Sequence, residues 1–153
     1  MIRVWRICSA RHPSAFDGEG ARKYGGRFNA KGTAAAYASD SLSLSALEVL
    51  VHADASSLRG DYTAHALDLP DDVVREEWKA ADLPSNWRDG PAPPALQALG
   101  NAWLVGMTAA VLFVPSAVVP EQRNVVINPA HADSAKLRPG PRRRFVFNPR
   151  LAR

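Results

Sequence analysis

A glutamate inside an apolar, helix-forming segment is the most informative residue of this chain of 153 residues. Glu48 interrupts the apolar stretch 44–51, in which hydrophobic residues repeat at helical spacing. An ionised carboxylate on a core-facing surface is strongly unfavourable unless it is paired or takes part in a reaction. Two interpretations remain, a carboxylate that does chemistry and a half-solvated glutamate at the edge of the helix.

An arginine that follows two glycines is the second candidate. Gly25 and Gly26 leave room for close approach, and the guanidinium of Arg27 can bind a phosphate or carboxylate with two parallel hydrogen bonds. The alternative is a structural arginine that pairs with a carboxylate such as Glu48. Tyr37 offers a flat ring for stacking and a hydroxyl, although a core tyrosine is the more frequent case.

Metal and hydrolase chemistry are less well supported. Glu48 and His52 are four residues apart, a spacing that suits a metal ion, and His131 is a candidate third ligand. No second His or Cys lies at ligand spacing from His131, so we predict no metal site. Ser116 lacks the Gly-x-Ser-x-Gly surroundings of a hydrolase nucleophile, and we expect its hydroxyl to act as a hydrogen-bond donor from the turn after Pro115.

The elements that must position these residues follow from hydrophobic patterns. We expect strands over residues 2–7, 33–39, 62–69, 110–114, 124–127 and 145–147, and helices over residues 42–53 and 95–104 with a short one after Pro70. Glycines mark the segment before Thr33 as a loop, and prolines mark residues 82–94 as an irregular surface loop rather than a domain boundary. This mixture predicts one α+β domain over residues 1–153, with a central mixed or antiparallel sheet flanked by helices.

Composition excludes several classes of protein. The chain is 46% hydrophobic and 22% charged, as in an ordinary soluble domain. Cys8 is the one cysteine, which excludes an internal disulfide and favours a reducing compartment, with the cytoplasm as the expected location. No apolar run approaches the ~20 residues of a membrane helix, and Arg3 and Arg6 within the first apolar run argue against a signal peptide.

Positive charge is concentrated towards the C-terminus. Residues 1–76 carry a net charge of −1 and residues 77–153 a net charge of +5. The stretch 136–153 holds seven basic residues and no acidic one, including Arg142, Arg143 and Arg144. Such a stretch is either a solvated tail or a surface for nucleic acid, a phosphate-bearing ligand or an acidic partner segment. A nucleic-acid-binding module is therefore a rival hypothesis, against which the lack of interleaved aromatic residues counts.

The order of the motifs along the chain resembles the RES-domain family, which is named for an arginine, a glutamate and a serine. The resemblance rests on GGRFN at 25–29, Tyr37, ALEVLVH at 46–52, VPSAV at 114–118 and INPAH at 127–131. It spans nearly the whole chain, to an ending at about Leu151 that is similar to the family's. The family commonly has tryptophan where this chain has Phe28, which keeps an aromatic ring.

The resemblance implies a fold similar to ADP-ribosyltransferases and the activity of a toxin of bacterial type II toxin–antitoxin modules. It implies that NAD+ is a substrate, with no resident cofactor, and that its nicotinamide–ribose bond is cleaved by hydrolysis or phosphorolysis. Mono-ADP-ribosylation of a protein is the alternative. The implied partner is an Xre-type helix-turn-helix antitoxin that blocks the active site; DNA would be reached through the antitoxin, and a homodimer within the complex is allowed. The basic stretch then becomes a candidate for holding an acidic antitoxin segment that plugs the site.

The resemblance also implies the site residues. Arg27, Glu48 and Ser116 match the three named residues, and Tyr37 matches the family's active-site tyrosine. Glu48 would stabilise an oxocarbenium-like ribose, Arg27 the pyrophosphate, and Tyr37 the nicotinamide ring by stacking, while Ser116 would hydrogen-bond the nicotinamide amide or the ribose. The remaining residues expected at the NAD+ site are Gly25, Gly26 and Asn124, with His52 as a support.

Overall fold

A seven-stranded sheet forms the centre of the computed structural model, which describes residues 1–152. In chain order the strands are β1 (Ile2–Ser9), β2 (Ala36–Ser39), β3 (Tyr62–Leu69), β4 (Arg75–Glu77), β5 (Val111–Pro115), β6 (Arg123–Ile127) and β7 (Arg138–Phe145). Their order across the sheet is β4-β5-β6-β2-β1-β3-β7. Only β4 and β5 are parallel among the described pairs, so the sheet is mixed and the expected α+β class is confirmed.

Three α-helices accompany the sheet: α1 (Glu19–Tyr24), α2 (Leu42–Leu50) and α3 (Pro94–Gly106). The hydroxyl of Ser41 accepts a hydrogen bond from the Leu44 N–H at 3.1 Å and so caps the start of α2. A proline opens α3 in the position where its missing N–H has no cost. None of the helices in residues 1–152 combines the length and apolar character that crossing a membrane requires.

The helices α2 and α3 cover the same face of the sheet, which we call the Tyr37 face because side chains alternate along a strand. Buried residues of α3 pack with Val126 and Leu112, which share the row of Tyr37 across three strands. Residues of α2 pack beside them over Ile7 of β1. The opposite face, which carries Ala38 and is called the Ala38 face, holds a separate core cluster against which Phe16 and Leu137 pack.

The sheet is incompletely paired at its centre. Trp5 opposite Ser39 is the one paired position between β1 and β2 in residues 1–152. Beyond it, Nη1 of Arg6 donates a hydrogen bond to the main-chain carbonyl of Tyr37 at 3.0 Å. A side chain thus satisfies a strand carbonyl where the ladder between the two strands has ended.

Two predicted elements are wrong, and the helix α1 and the strand β4 were not predicted. The segment after Pro70 is a turn leading into β4, not a helix, and Val73 reaches the core from that turn. The last strand, β7, ends at Phe145, where the predicted strand was to begin. Its two prolines are tolerated because β7 lies at the edge of the sheet. Helix α1 lies inside the predicted glycine-rich loop. The other predicted elements are present, with ends shifted by up to three residues.

Substitution of Gly100 by alanine tests the packing of α3 against the glycine-arginine segment. A Cβ atom there would lie 2.3 Å from the carbonyl oxygen of Phe28. We expect a loss of about 1–3 kcal/mol in the free energy of unfolding, measured with urea. Gly106→Ala on the same helix is the matched control, because nothing lies within 4 Å, and it should be neutral or stabilising. Equal stability of the two variants would contradict this packing.

Candidate active site

A cleft of about 660 Å³ opens beside the incompletely paired strands β1 and β2, next to α2. A second arm of about 850 Å³ continues from it towards residues 88–92 and 115–118, and the two arms share residues that include Arg27, Glu48 and Asn124. Each volume lies within the range of about 300–1,000 Å³ that is usual for ligand sites. The expected site residues that line the first arm are Gly25, Gly26, Arg27, Tyr37, Glu48, His52 and Asn124.

The carboxylate of Glu48 is held through one of its two oxygens. Its Oε1 atom accepts hydrogen bonds from the Ser116 hydroxyl at 2.8 Å and from Nδ2 of Asn124 at 2.7 Å. No side chain of residues 1–152 forms an ion pair with Glu48, and its Oε2 atom has no hydrogen-bond partner there. The carboxylate is therefore oriented by neutral groups, with one oxygen left for a ligand.

All the hydrogen bonds of the Ser116 hydroxyl are made within the protein. Ser116 is fully buried, and its Oγ atom accepts the main-chain N–H groups of Val118 and Val119 at 3.1 Å each. The hydroxyl hydrogen is directed to Glu48. Ser116 does not line either arm, so the expectation that it hydrogen-bonds the substrate itself is corrected: the turn after Pro115 is used to hold the carboxylate.

Asn124 is oriented by a residue that the sequence reasoning missed. Ser39 on β2 lies directly opposite Asn124 on β6, and its hydroxyl donates to Oδ1 of Asn124 at 2.7 Å. This contact turns the amide so that Nδ2 faces Glu48. The available signal was a buried serine at the end of an otherwise apolar strand, since a buried hydroxyl needs a partner.

The Tyr37 ring forms a fixed wall of the cleft. Its hydroxyl donates to Oδ1 of Asn29 at 2.6 Å and accepts the Phe28 N–H at 3.1 Å. Burial raises the pKa of Tyr37 well above its ordinary value, so the hydroxyl stays neutral. A Cβ atom at Gly26 would lie 2.6 Å from Asn29 Oδ1 and 2.8 Å from the Tyr37 hydroxyl. Gly26 is therefore required by packing within the protein, in addition to any approach of a ligand.

Arg27 is anchored by the proline-rich loop rather than by Glu48. Its Nη1 atom donates to the carbonyls of Trp87 and Asp89, at 2.9 and 3.0 Å. The family resemblance assigns no role to residues 82–94, yet this loop holds Arg27 in place. The other guanidinium nitrogens of Arg27 have no hydrogen-bond partner among the described residues, and the side chain borders both arms.

Arg6 is a second arginine of the cleft, which the sequence reasoning did not select. Its Nε atom is buried and has no hydrogen-bond partner in the described chain. With Arg27 in the first arm and Arg88 in the second, it gives the cleft three cations. Glu48 is the one carboxylate that lines either arm within residues 1–152. The site is thus suited to an anionic ligand with one electron-poor centre.

The two histidines lie apart. His52 is exposed at the border of both arms, and its imidazole makes no hydrogen bond with the described residues. His131 lies in a different groove, where Nδ1 accepts the Asp133 N–H at 3.0 Å. The candidate metal ligands Glu48, His52 and His131 do not converge, and nowhere in residues 1–152 do three or more His, Cys, Asp or Glu side chains form a group able to hold a metal ion.

The fold and the site together define a class of protein: an α+β domain whose cationic cleft presents one oriented carboxylate. Residues 3–148 match the family model described as RES domain, and the chain belongs to this family. It is 37% identical to "Toxin Res" of Yersinia enterocolitica over 98% of this chain and 99% of the relative. It is 36% identical to the "Prs ADP-ribosylating toxin" of Sphingobium over 97% of this chain and 96% of the relative.

A solved structure shares the fold. The crystal structure of the MbcT–MbcA toxin–antitoxin complex of M. tuberculosis contains a chain that superposes with a TM-score of 0.78. The superposition covers 99% of this chain and 86% of that chain, at 24% sequence identity. At this level of identity the likeness extends to the arrangement of strands and helices.

Removal of the Tyr37 hydroxyl tests the wall of the cleft. Tyr37→Phe leaves Oδ1 of Asn29 and the Phe28 N–H without their partner, and burial prevents water from replacing it fully. We expect a loss of about 1–3 kcal/mol in the free energy of unfolding, measured with urea.

Tyr24→Phe is the matched control, because Tyr24 is 70% exposed. Its effect should stay within about 0.5 kcal/mol, as for most surface substitutions. If the two variants unfold at the same urea concentration, the Tyr37 hydroxyl does not hold the segment that carries Arg27.

Proposed function

We propose that this chain is the toxin of a toxin–antitoxin module and that it cleaves NAD+ between nicotinamide and ribose. The observation that carries the proposal is the Glu48 carboxylate, oriented through Oε1 by Ser116 and Asn124, inside a cleft whose other charges are arginines. Membership of the RES family and relatives named as toxins support it.

The reaction needs stabilisation of positive charge more than it needs an acid. As the bond between the ribose C1′ and the nicotinamide nitrogen breaks, its electron pair leaves with the nitrogen, and nicotinamide departs as a neutral molecule. Positive charge develops on the ribose, as in glycoside hydrolysis. An acceptor oxygen then bonds to C1′ and loses its proton. A carboxylate beside C1′ lowers the energy of this transition state.

Glu48 is suited to that role because its orientation is already fixed. Oε1 is occupied by two donors, so Oε2 is the oxygen available to the ribose. Ser116 and Asn124 act as positioning residues in this scheme, and neither needs to touch the reacting atoms. Fixed groups around a charge avoid reorganisation during the reaction, which is where much of an enzyme's electrostatic stabilisation arises.

The arginines are assigned to the pyrophosphate of the substrate. Arg27 keeps guanidinium nitrogens free of protein partners, and Arg6 also lines the first arm of the cleft. Charge-assisted hydrogen bonds from both would hold the two phosphates. Tyr37, whose hydroxyl is tied to Asn29, is proposed to stack on the nicotinamide ring, and His52 to support the ligand from the border of the cleft.

The second arm of the cleft is proposed to admit the acceptor, which is water, phosphate or a protein side chain. Mono-ADP-ribosylation of a protein is the second candidate function. It is favoured by the 36% identical relative that is named as an ADP-ribosylating toxin, and by the opening of this arm towards the exposed residues Arg88 and Pro91.

The proposed partner is an Xre-type antitoxin that blocks the cleft in the bacterial cytoplasm. A toxin–antitoxin complex shares the fold, which supports a partner of this kind. The arginines Arg142, Arg143 and Arg144 lie on β7 and line neither arm of the cleft, and a role for them in holding an acidic segment of the antitoxin stays a prediction. DNA binding through the antitoxin and a homodimer within the complex remain parts of this proposal.

Incubation of the purified chain with NAD+ tests the activity. The wild type should release free nicotinamide, followed by chromatography, and the co-product identifies the acceptor. Glu48→Gln should lower the rate on the order of 10²–10³-fold, because it removes the charge that faces the ribose. Arg27→Ala should weaken NAD+ binding through loss of pyrophosphate contacts.

Glu121→Gln and Arg59→Ala are controls of the same charge change at exposed positions outside both arms. They should retain wild-type rates. Release of nicotinamide at the same rate by wild type and Glu48→Gln would overturn the assignment of Glu48.

Mass spectrometry of lysate proteins separates the two candidate functions. After incubation with NAD+ and the wild-type chain, transferase activity predicts an ADP-ribose adduct on a protein that is absent with Glu48→Gln. Free ADP-ribose or its 1-phosphate without any such adduct indicates water or phosphate as the acceptor and contradicts the transferase.

A further inference from the structure

A second groove lies on the Ala38 face of the sheet, on the side away from the helices α2 and α3. It has a volume of about 860 Å³ and is bordered by residues that include Phe16, Asp17, His65, Leu137 and Arg142. None of these residues lines the cleft described above. The groove is therefore a separate concavity with its own polar groups.

A row of basic residues crosses β1, β3 and β7; two of its members, His65 and Arg142, line this groove, whereas Arg6 lines the cleft described above. Arg6 on β1 pairs directly with His65 on β3, and His65 pairs directly with Arg142 on β7. Residues directly opposite one another project from the same face, and like charges at such positions are destabilising. Burial and the charges of Arg142 and Arg6 lower the pKa of His65, so the imidazole is neutral at physiological pH.

The groove holds little negative charge to neutralise these basic side chains. Asp17 is the one acidic residue that lines the groove within residues 1–152, and its Oδ1 atom accepts the main-chain N–H of Glu19. Arg142 is exposed and forms no ion pair or hydrogen bond with the described residues. Arg144 on the same strand differs, because it pairs with Asp61 at 3.3 Å.

We propose that this groove binds a phosphate-bearing ligand through Arg142 and His65. A guanidinium without a protein partner binds phosphate with two parallel hydrogen bonds, and a neutral imidazole adds a donor. Phe16 meets the His65 ring edge to face, with ring centroids 6.2 Å apart, and gives the site an apolar wall. A nucleotide and free inorganic phosphate share this chemistry. The inference does not depend on the activity proposed for the cleft.

Titration of the full-length chain by NMR tests the groove, with ADP, inorganic pyrophosphate and adenosine as probes at physiological ionic strength. ADP should shift the resonances of His65 and Arg142, and Arg142→Gln should weaken that site by about tenfold, or ~1.4 kcal/mol. Tighter binding of ADP than of pyrophosphate would identify a nucleotide as the ligand, and equal binding would identify the phosphate group alone.

Arg143→Gln is the matched control, since it removes the same charge from the next residue, whose side chain lies over Phe145 on the other face of β7. It should leave the affinity unchanged. Equal weakening by both substitutions would overturn the site in favour of diffuse attraction to the basic edge. Shifts confined to His52 and the cleft, or equal binding of adenosine, would also overturn it.

Discussion

The pair of hydrogen bonds to one oxygen of Glu48 is the constraint on which the site depends. It joins α2, the turn after β5 and a residue of β6, which are far apart in the sequence. The sheet order brings β5, β6 and β2 side by side, and α2 follows β2 directly, so the fold supplies this meeting point. Hydrogen bonds to a charged group contribute about 1.5–3 kcal/mol each, enough to hold one carboxylate orientation.

The glycine-rich segment positions a second residue of the same site, Arg27. Asn29 is fully buried and donates through Nδ2 to the carbonyls of Ala21 and Thr33 while its Oδ1 atom accepts the Tyr37 hydroxyl. Gly26 packs against this contact with no space for a side chain. Arg27 follows directly and extends from a segment that is fixed on both sides, which limits the rotamers its stem can adopt.

Residues that break a local pattern could be identified from the amino-acid sequence alone. Glu48 stands out in an apolar helix and Arg27 follows two glycines, and both line the cleft. Ser39 and Arg6 could not be identified in this way, because their importance comes from strand register: Ser39 lies opposite Asn124, and Arg6 lies beside the point where β1 and β2 stop pairing. Register depends on residues far apart in the sequence. A charged residue on a strand is therefore predicted to be exposed unless the partner strand is known. The prediction of a helix after Pro70 was wrong for the same reason, because the strand β4 forms through its parallel pairing with β5.

Charge is distributed so that the carboxylate of Glu48 stands alone among cations. The substrate proposed for the cleft carries negative pyrophosphate and a cationic ring whose departure leaves positive charge on the ribose. Arg6 and Arg27 attract the pyrophosphate, whereas a second carboxylate in the cleft would repel it. Because Ser116 and Asn124 are neutral, they orient Glu48 without reducing its charge. An arginine in their place would neutralise the group that the transition state needs, so hydrogen bonding by uncharged donors is the arrangement that keeps the carboxylate both fixed and effective.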